Sequence, residues 1–509
     1  MSRRARIVFA VAILTAGLAA ALAALAGRPN VPAPDPQEAV LDGCGRNYID
    51  QTQRLIPTWV YVGDRNAPAG GPPPPPQRLE GVVSSSYIPD LGVHPTEEDL
   101  PPIHRAYDFN FDVLPDAAYR GLLGGSAAQH TGNFAGRSPS TGRVHVEREQ
   151  TALPRFAWPE IGDRVAIVGS WIWDCGHWTP AGERTEIHSY RALWVARTPS
   201  ARSPYGENEG DLYLSSDKTY AGVEADCAHR AKGDRLAFQS CLSTESRWQD
   251  VSGTYSFRLR VPPRPRKGAR LVVRLLDAGS SEAPKVATEV SGRFVDVTVT
   301  VDAPAQRLVV AKRVLVGWTR AAVPEHLRVR FTRLLVCRAM DPGCPGSRAM
   351  CGSRETTHGE QISQPPGEWN VYVDAGGVWA TWGNGLLRAR DGQVFRHGPT
   401  LDLYVPRKRP WRLFVFTREC DWGSLGNADG PSHAMSPCPR SSEVGTFEGD
   451  DVPGMIVKRF RSPAASLGSH RGRPSRIDTT CPRVNRLGCY ELEYVVTRVP
   501  DDAARARRR

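Results

Sequence analysis

At 509 residues the chain exceeds what one ordinary core can bury, so two or three domains are expected. A 40% hydrophobic content with 13 Trp excludes a disordered polymer, and 48 Gly with 43 Pro favour turns and short strands over long helices. The formal net charge of +11 fits an anionic polymer, glycan or lipid surface as partner. The arginines that carry it are scattered rather than interleaved with stacking aromatics, so specific nucleic-acid recognition is not expected.

Residues 1–27 read as a signal peptide or an uncleaved signal anchor. Arg3, Arg4 and Arg6 precede an uncharged run from Ile7 to Ala26, and Ala24-Leu25-Ala26 resembles a small-x-small cleavage site. The run is also close to a membrane span in length. Either alternative places the bulk of the chain outside the cytoplasm, secreted or held at the membrane by its N-terminal segment. Export makes the 11 cysteines disulfide material, with close pairs Cys227/Cys241, Cys420/Cys438 and Cys481/Cys489 as candidate staples. Residues 28–99 read as a Pro-rich linker and irregular segment, including the unbroken Pro72–Pro76.

Residues 100–200 read as a β module, a small barrel or sandwich. Asp108, Asn110 and Asp112 alternate with Phe109, Phe111 and Val113, and a short helix is expected after Pro115. Val165, Ile167, Gly169, Trp171 and Trp173 share one face of a strand that ends at Asp174, shortly before His177. Glu186 and His188, two residues apart on the next strand, point to one face with Ile187 opposite. Asp174, His177, Glu186 and His188 offer imidazole and carboxylate donors suited to a divalent ion such as Zn or Mn, with Asp108, Asn110 and Asp112 as outer support. A hydrogen-bonded polar cluster without metal is the competing reading.

Residues 201–251 read as a turn-rich insertion. From Ser252 the texture changes to short strands: Tyr255, Phe257 and Leu259, then Val295, Val297, Val299 and Val301, alternate with polar residues. Residues 252–320 and 321–499 are expected to form β-sandwich, either one or two. In the second, Gly376-Gly377 supply a hairpin turn after Glu368-Trp-Asn-Val-Tyr-Val-Asp-Ala, and Tyr490, Leu492, Tyr494 and Val496 form the last strand. Loop acids Asp421, Asp429, Asp450 and Asp451 are the positions where a sandwich end could take calcium. Residues 500–509 form a basic tail.

The run from Gly162 to His177 with Glu186-Ile-His188 resembles a recurring exported bacterial domain with the pattern Gly-x-Trp-Val, Asp-x-Gly-His and Glu-Ile-His-Pro; Ser189 stands where that pattern has Pro. The resemblance implies an exported module and no reaction. The C-terminal region also resembles calcium-binding sandwiches of the C2 type. No Gly-x-Ser-x-Gly elbow, phosphate-binding loop or His-Glu-x-x-His motif is present. The expectation is therefore a mostly β cell-envelope protein with a binding or structural role and a metal site. The alternative is a metal-dependent hydrolase using Asp174, His177, Glu186 and His188.

Overall fold

Strand-length runs of alternating apolar residues dominate the chain, and in the computed structural model they pair into sheets. The structure describes residues 59–62, 75–84, 111–124, 131–134, 141–147, 154–179, 182–216, 218–219, 237, 241, 247–281, 284–302, 308–337, 367–382, 387–390, 392–419, 451–474 and 490–500. No helix among them is long and apolar enough to cross a membrane. The leader, residues 28–58 and the basic tail lie outside the described residues.

The first unit contains β1 (Trp59–Tyr61), β2 (Gln77–Val83), β3 (Phe111–Pro115), β4 (Val144–Glu147), β5 (Arg164–Thr179) and β6 (Gly182–Arg197). β2 pairs with β3 and β3 with β4, both antiparallel. β4 then runs parallel to β6, β6 returns antiparallel to β5, and β5 meets β2. The circuit is a closed five-stranded barrel with the connectivity of an OB-type Greek key. Closure removes free edges, and β1 continues along β5 where β2 ends.

Period-two alternation sends Leu79, Phe111, Val113, Val144, Val146, Trp171, Trp173 and Ile187 into one core. Intervening residues such as Asp112, His145 and Glu186 therefore take the outer face. The segment after Pro115 is a 3-10 helix, Ala117–Leu123, stopped by Gly124 at φ 66°. At Gly81 a Cβ would lie 2.1 Å from the Leu114 carbonyl oxygen, so only glycine lets β2 and β3 approach this closely. The barrel thus begins at residue 77, inside the segment expected to be irregular. Mixed composition hid β2: Leu79, Gly81 and Val83 are buried, while Arg78 just before them is covered by donating to the Ser256 carbonyl oxygen.

A second departure is β7 (Asn208–Ser215), every residue of it buried, within the expected turn-rich insertion. It pairs with β6. β8 (Lys218–Thr219) and β9 (Arg247–Trp248) form a small ladder. Next come β10 (Gly253–Arg260), β11 (Leu271–Asp277), β12 (Lys285–Ser291), β13 (Phe294–Val301) and β14 (Val309–Trp318). β14 joins β7 and β11 joins β14, extending the barrel's own sheet, while β10, β13 and β12 form a separate three-stranded sheet. The two sheets enclose a core in which Trp194 stacks on Phe257 at 5.3 Å and Val295, Val297 and Val299 are buried. Residues 252–320 therefore do not fold apart from the barrel: Ala166, Val168, Ala192 and Trp194 of barrel strands β5 and β6 line the same core.

The last unit holds β15 (Glu325–Val336), β16 (Gly367–Ala375), β17 (Val378–Thr381), β18 (Leu387–Ala389), β19 (Val394–Arg396), β20 (Thr400–Val405), β21 (Trp411–Glu419), β22 (Asp451–Phe460), β23 (Gly468–Gly472) and β24 (Tyr490–Arg498). One sheet is built around β15 and β24, the other around β16 and β21. They sandwich a core that includes Leu327, Phe331, Trp369, Val415 and Tyr494. Gly376 and Gly377, at φ 59° and 93°, form the expected two-residue hairpin turn. The opposite face of β16 presents Tyr372 to the first unit, 5.9 Å from Trp158, which also meets Trp379 at 5.2 Å.

Candidate metal centre

Parallel pairing of β4 with β6 sets His145 opposite Glu186 and Glu147 opposite His188. Each strand offers one imidazole and one carboxylate on the same outer face, and the register alternates them, so unlike groups are neighbours. β3 adds Asp112, in register with His145. This face is buried all the same: Asp112, His145, Glu147, Glu186 and His188 are at most 7% exposed.

His145 Nδ1 lies 3.1 Å from Asp112 Oδ1. An ionised Asp112 only accepts, so Nδ1 carries a proton, and Nε2 offers a lone pair to an ion in the neutral ring or a second N–H in the imidazolium. That Nε2 faces Glu147 Oε2 at 3.7 Å. Glu147 Oε2 is 3.9 Å from His188 Nδ1, which is 3.8 Å from Glu186 Oε2. Donor atoms of His145, Glu147 and Glu186 all lie within 4.8 Å of one another. Tetrahedral bonds of ~2.0–2.1 Å hold ligand atoms roughly 3.3–3.4 Å apart, so the side chains would draw in by a few tenths of an ångström at the nearest contacts and by up to about 1.4 Å at the widest to share an ion. A lone pair aimed at a carboxylate oxygen also calls for a cation or a proton between them. Nitrogen and oxygen donors backed by a carboxylate on the far side of the imidazole suit Zn or Mn.

Arginines bound the cluster. Arg184 Nε sits 3.0 Å from Asp174 Oδ2 and 2.9 Å from Glu186 Oε1. Arg143 Nη1 is 3.6 Å from Asp112 Oδ2. Burial pushes the Glu186 carboxyl upward, the neighbouring Asp174 charge adds to this, and Arg184 and His145 oppose it.

Of the four residues read from sequence, Glu186 and His188 lie 3.8 Å apart, and Arg184 joins Asp174 to Glu186. His177 lies near the end of β5, and its side chain is outside the described residues. Asp112 lies against His145, at 3.1 Å, whereas Asp108 and Asn110 are outside the described residues. His145 and Glu147 were missed. Their His-x-Glu alternation mirrors Glu186-x-His188, a usable signal, but nothing local announces that the two segments lie side by side.

The calcium positions Asp421, Asp429 and Asp450 fall outside the described residues, as does the side chain of Asp451. Cys241 is disulfide-bonded and Cys337 is a free thiol. Cys227, Cys420, Cys438, Cys481 and Cys489 are outside the described residues.

A second buried polar network lies between β6, β7 and β14. Glu209 takes contacts from Arg202, at 3.2 Å, and from Arg313 Nε, at 2.7 Å, and accepts a hydrogen bond from Ser200. Asp211 pairs with Arg197 and Arg202. Burial acts to raise the Glu209 carboxyl, but Arg202, Arg313 and Arg197 outweigh it and hold it at about 2.

No protein-family model and no curated protein matches the chain. Among solved structures, a C2 domain of plant Extended Synaptotagmin 1 aligns at 11% identity and a TM-score of 0.18, over 35% of this chain and 100% of that one. A structure of Extended-Synaptotagmin 2 that joins its SMP domain to a pair of C2 domains aligns at 8% identity and a TM-score of 0.19, over 87% of this chain and 60% of that one. Likeness at this level bears on neither site nor function.

Proposed function

We propose that this chain is a cation-stabilised, extracytoplasmic β-protein with a binding or structural role, in which a divalent ion held by His145, Glu147 and Glu186, with His188 beside Glu186, locks β4 to β6. The observation that carries the reading is the buried quartet with Asp112 behind His145. Charge supports it. Asp112, Glu147, Asp174 and Glu186 bring four carboxylates to one buried patch, bounded by the guanidiniums of Arg143 and Arg184, and a divalent ion suits a patch of that sign. Buried charge is expensive unless it is answered closely, so a cation or protons among these acids stabilise the fold.

Burial favours a structural over a catalytic ion. A hydrolytic centre needs an open coordination position reached by water and substrate, whereas these side chains are almost fully covered. The outside location rests on the charged-then-apolar leader and the cysteine content. Elemental analysis of the purified full chain is the test. About one equivalent of zinc or manganese, lost together with several degrees of thermal midpoint on chelation, is the expected result. A chain free of metal whose midpoint is indifferent to added zinc and manganese would leave a hydrogen-bonded polar cluster.

A further inference from the structure

Between the barrel and the C-terminal sandwich lies a cleft of about 480 Å³, within the range of small-molecule sites. Five arginines line it: Arg164, Arg197, Arg409, Arg412 and Arg459. Three have carboxylate partners. Arg164 pairs with Asp116, Arg197 Nε lies 3.4 Å from Asp163 Oδ2, and Arg412 Nη2 lies 3.6 Å from Glu160 Oε2. Arg409 and Arg459 have none among the described residues, and both are exposed.

The register of β21 and β22 makes the surplus pointed. Arg412 stands directly opposite Arg459, so two like charges share one cross-strand pair on the face that lines the cleft. Such pairs are destabilising unless something neutral or negative answers them. Glu160 answers Arg412 from the barrel side, which leaves Arg459 over. Arg409 is already placed at the same cleft: its Nη1 donates to the Thr198 carbonyl oxygen at 2.9 Å, anchoring the head while further N–H groups stay available. Planar forks of this kind match phosphoryl and sulfuryl oxygens two at a time. Pro199, Tyr404 and Pro406 supply an apolar wall beside them.

We propose that this cleft is a binding site for a small ligand bearing a phosphate or sulfate group, which Arg409 and Arg459 clamp and Arg412 supports. The anion would sit where one unit meets the other and would screen the Arg412–Arg459 repulsion. The site is independent of the barrel's cation cluster, so either reading can fail alone.

The test is calorimetric titration of the full chain with inorganic pyrophosphate and with inorganic sulfate at constant ionic strength. Co-flotation with phosphatidylcholine vesicles, with and without phosphatidic acid, separates a lipid headgroup from a soluble source. The comparison proteins are the double variant R409A/R459A and the control R258A, which removes an exposed arginine of the three-stranded sheet. Expected is saturable binding of pyrophosphate, sulfate or the acidic vesicles, weakened at least about tenfold in the double variant and unchanged in R258A. R409K/R459K should recover part of it, and the thermal midpoints should show that all variants fold. Equal binding by wild type and the double variant, or no binding of any probe by wild type, overturns the proposal.

Discussion

Replacing Asp112 by Asn separates a metal centre from a polar cluster. The side chain keeps its volume, but its charge disappears from beside His145 Nδ1, at 3.1 Å, and from Arg143 Nη1, at 3.6 Å. Weakening a buried charge-assisted hydrogen bond and a buried ion contact costs about 2–3 kcal/mol. That cost belongs to the polar network and should appear in urea unfolding with chelator present. A second cost appears only if a metal binds. Loss of the carboxylate behind a ligating imidazole typically weakens metal affinity by about 10–100-fold. In excess zinc this removes about a further 1.4–2.7 kcal/mol of stabilisation from the folded state. Asp112→Asn should therefore cost about 3–6 kcal/mol with zinc but about 2–3 kcal/mol with chelator. Unfolding midpoints at unchanged denaturant slope report both values, and zinc competition with a chromogenic chelator reports the affinity directly. A wild-type protein that zinc does not stabilise, together with one identical cost in both buffers, would refute the reasoning.

Other perturbations test the frame around the site. Holding Glu209 at about 2 instead of its ordinary 4.5 contributes about 3 kcal/mol, present above pH 4.5 and lost as pH falls toward 2. Thermal midpoints between pH 5 and pH 2.5 should therefore fall more steeply for the wild type than for Glu209→Gln, and parallel curves would count against it. Gly81→Ala drives a Cβ onto the Leu114 carbonyl and should cost about 1–3 kcal/mol or more; a neutral result in chemical denaturation would mean that β2 and β3 do not pack this closely. Phe257→Ala removes the ring stacked on Trp194 and should cost about 3–5 kcal/mol by the same assay, while a loss under 1 kcal/mol would contradict a buried joint core.

Strand character was legible wherever one face is apolar and the other polar. Val295 to Val301, Tyr490 to Val496 and the Gly376-Gly377 hairpin all pair as their alternation implies. β7 was not legible, because Asn208-Glu-Gly-Asp211 places acids where a core strand normally has apolar residues. Those acids are tolerated because the neighbours supply cations in register, Arg197 opposite Glu209 and Arg313 opposite Asp211. Such matching is visible only once the strands lie together. The same limit governs the candidate site. Glu186 and His188 could be placed on one face from their spacing, and Asp112 from its alternation. His145 and Glu147 enter through a parallel contact between segments some forty residues apart, and no local pattern encodes that contact.

β6 serves two masters along one length: Ile187, Leu193 and Val195 fill the barrel, while Ala192 and Trp194 fill the neighbouring sandwich. Cutting the gene product near residue 200 or 250 would strand one half of a shared wall in water, so fragments ending there should be insoluble or degraded. Any N-terminal piece would have to run at least through β14, to about Trp318, and would still uncover the surface on which Tyr372, Phe414 and Met455 pack. Expression trials of shortened chains should be planned around that limit, and heat should melt the barrel and the central sandwich in a single step.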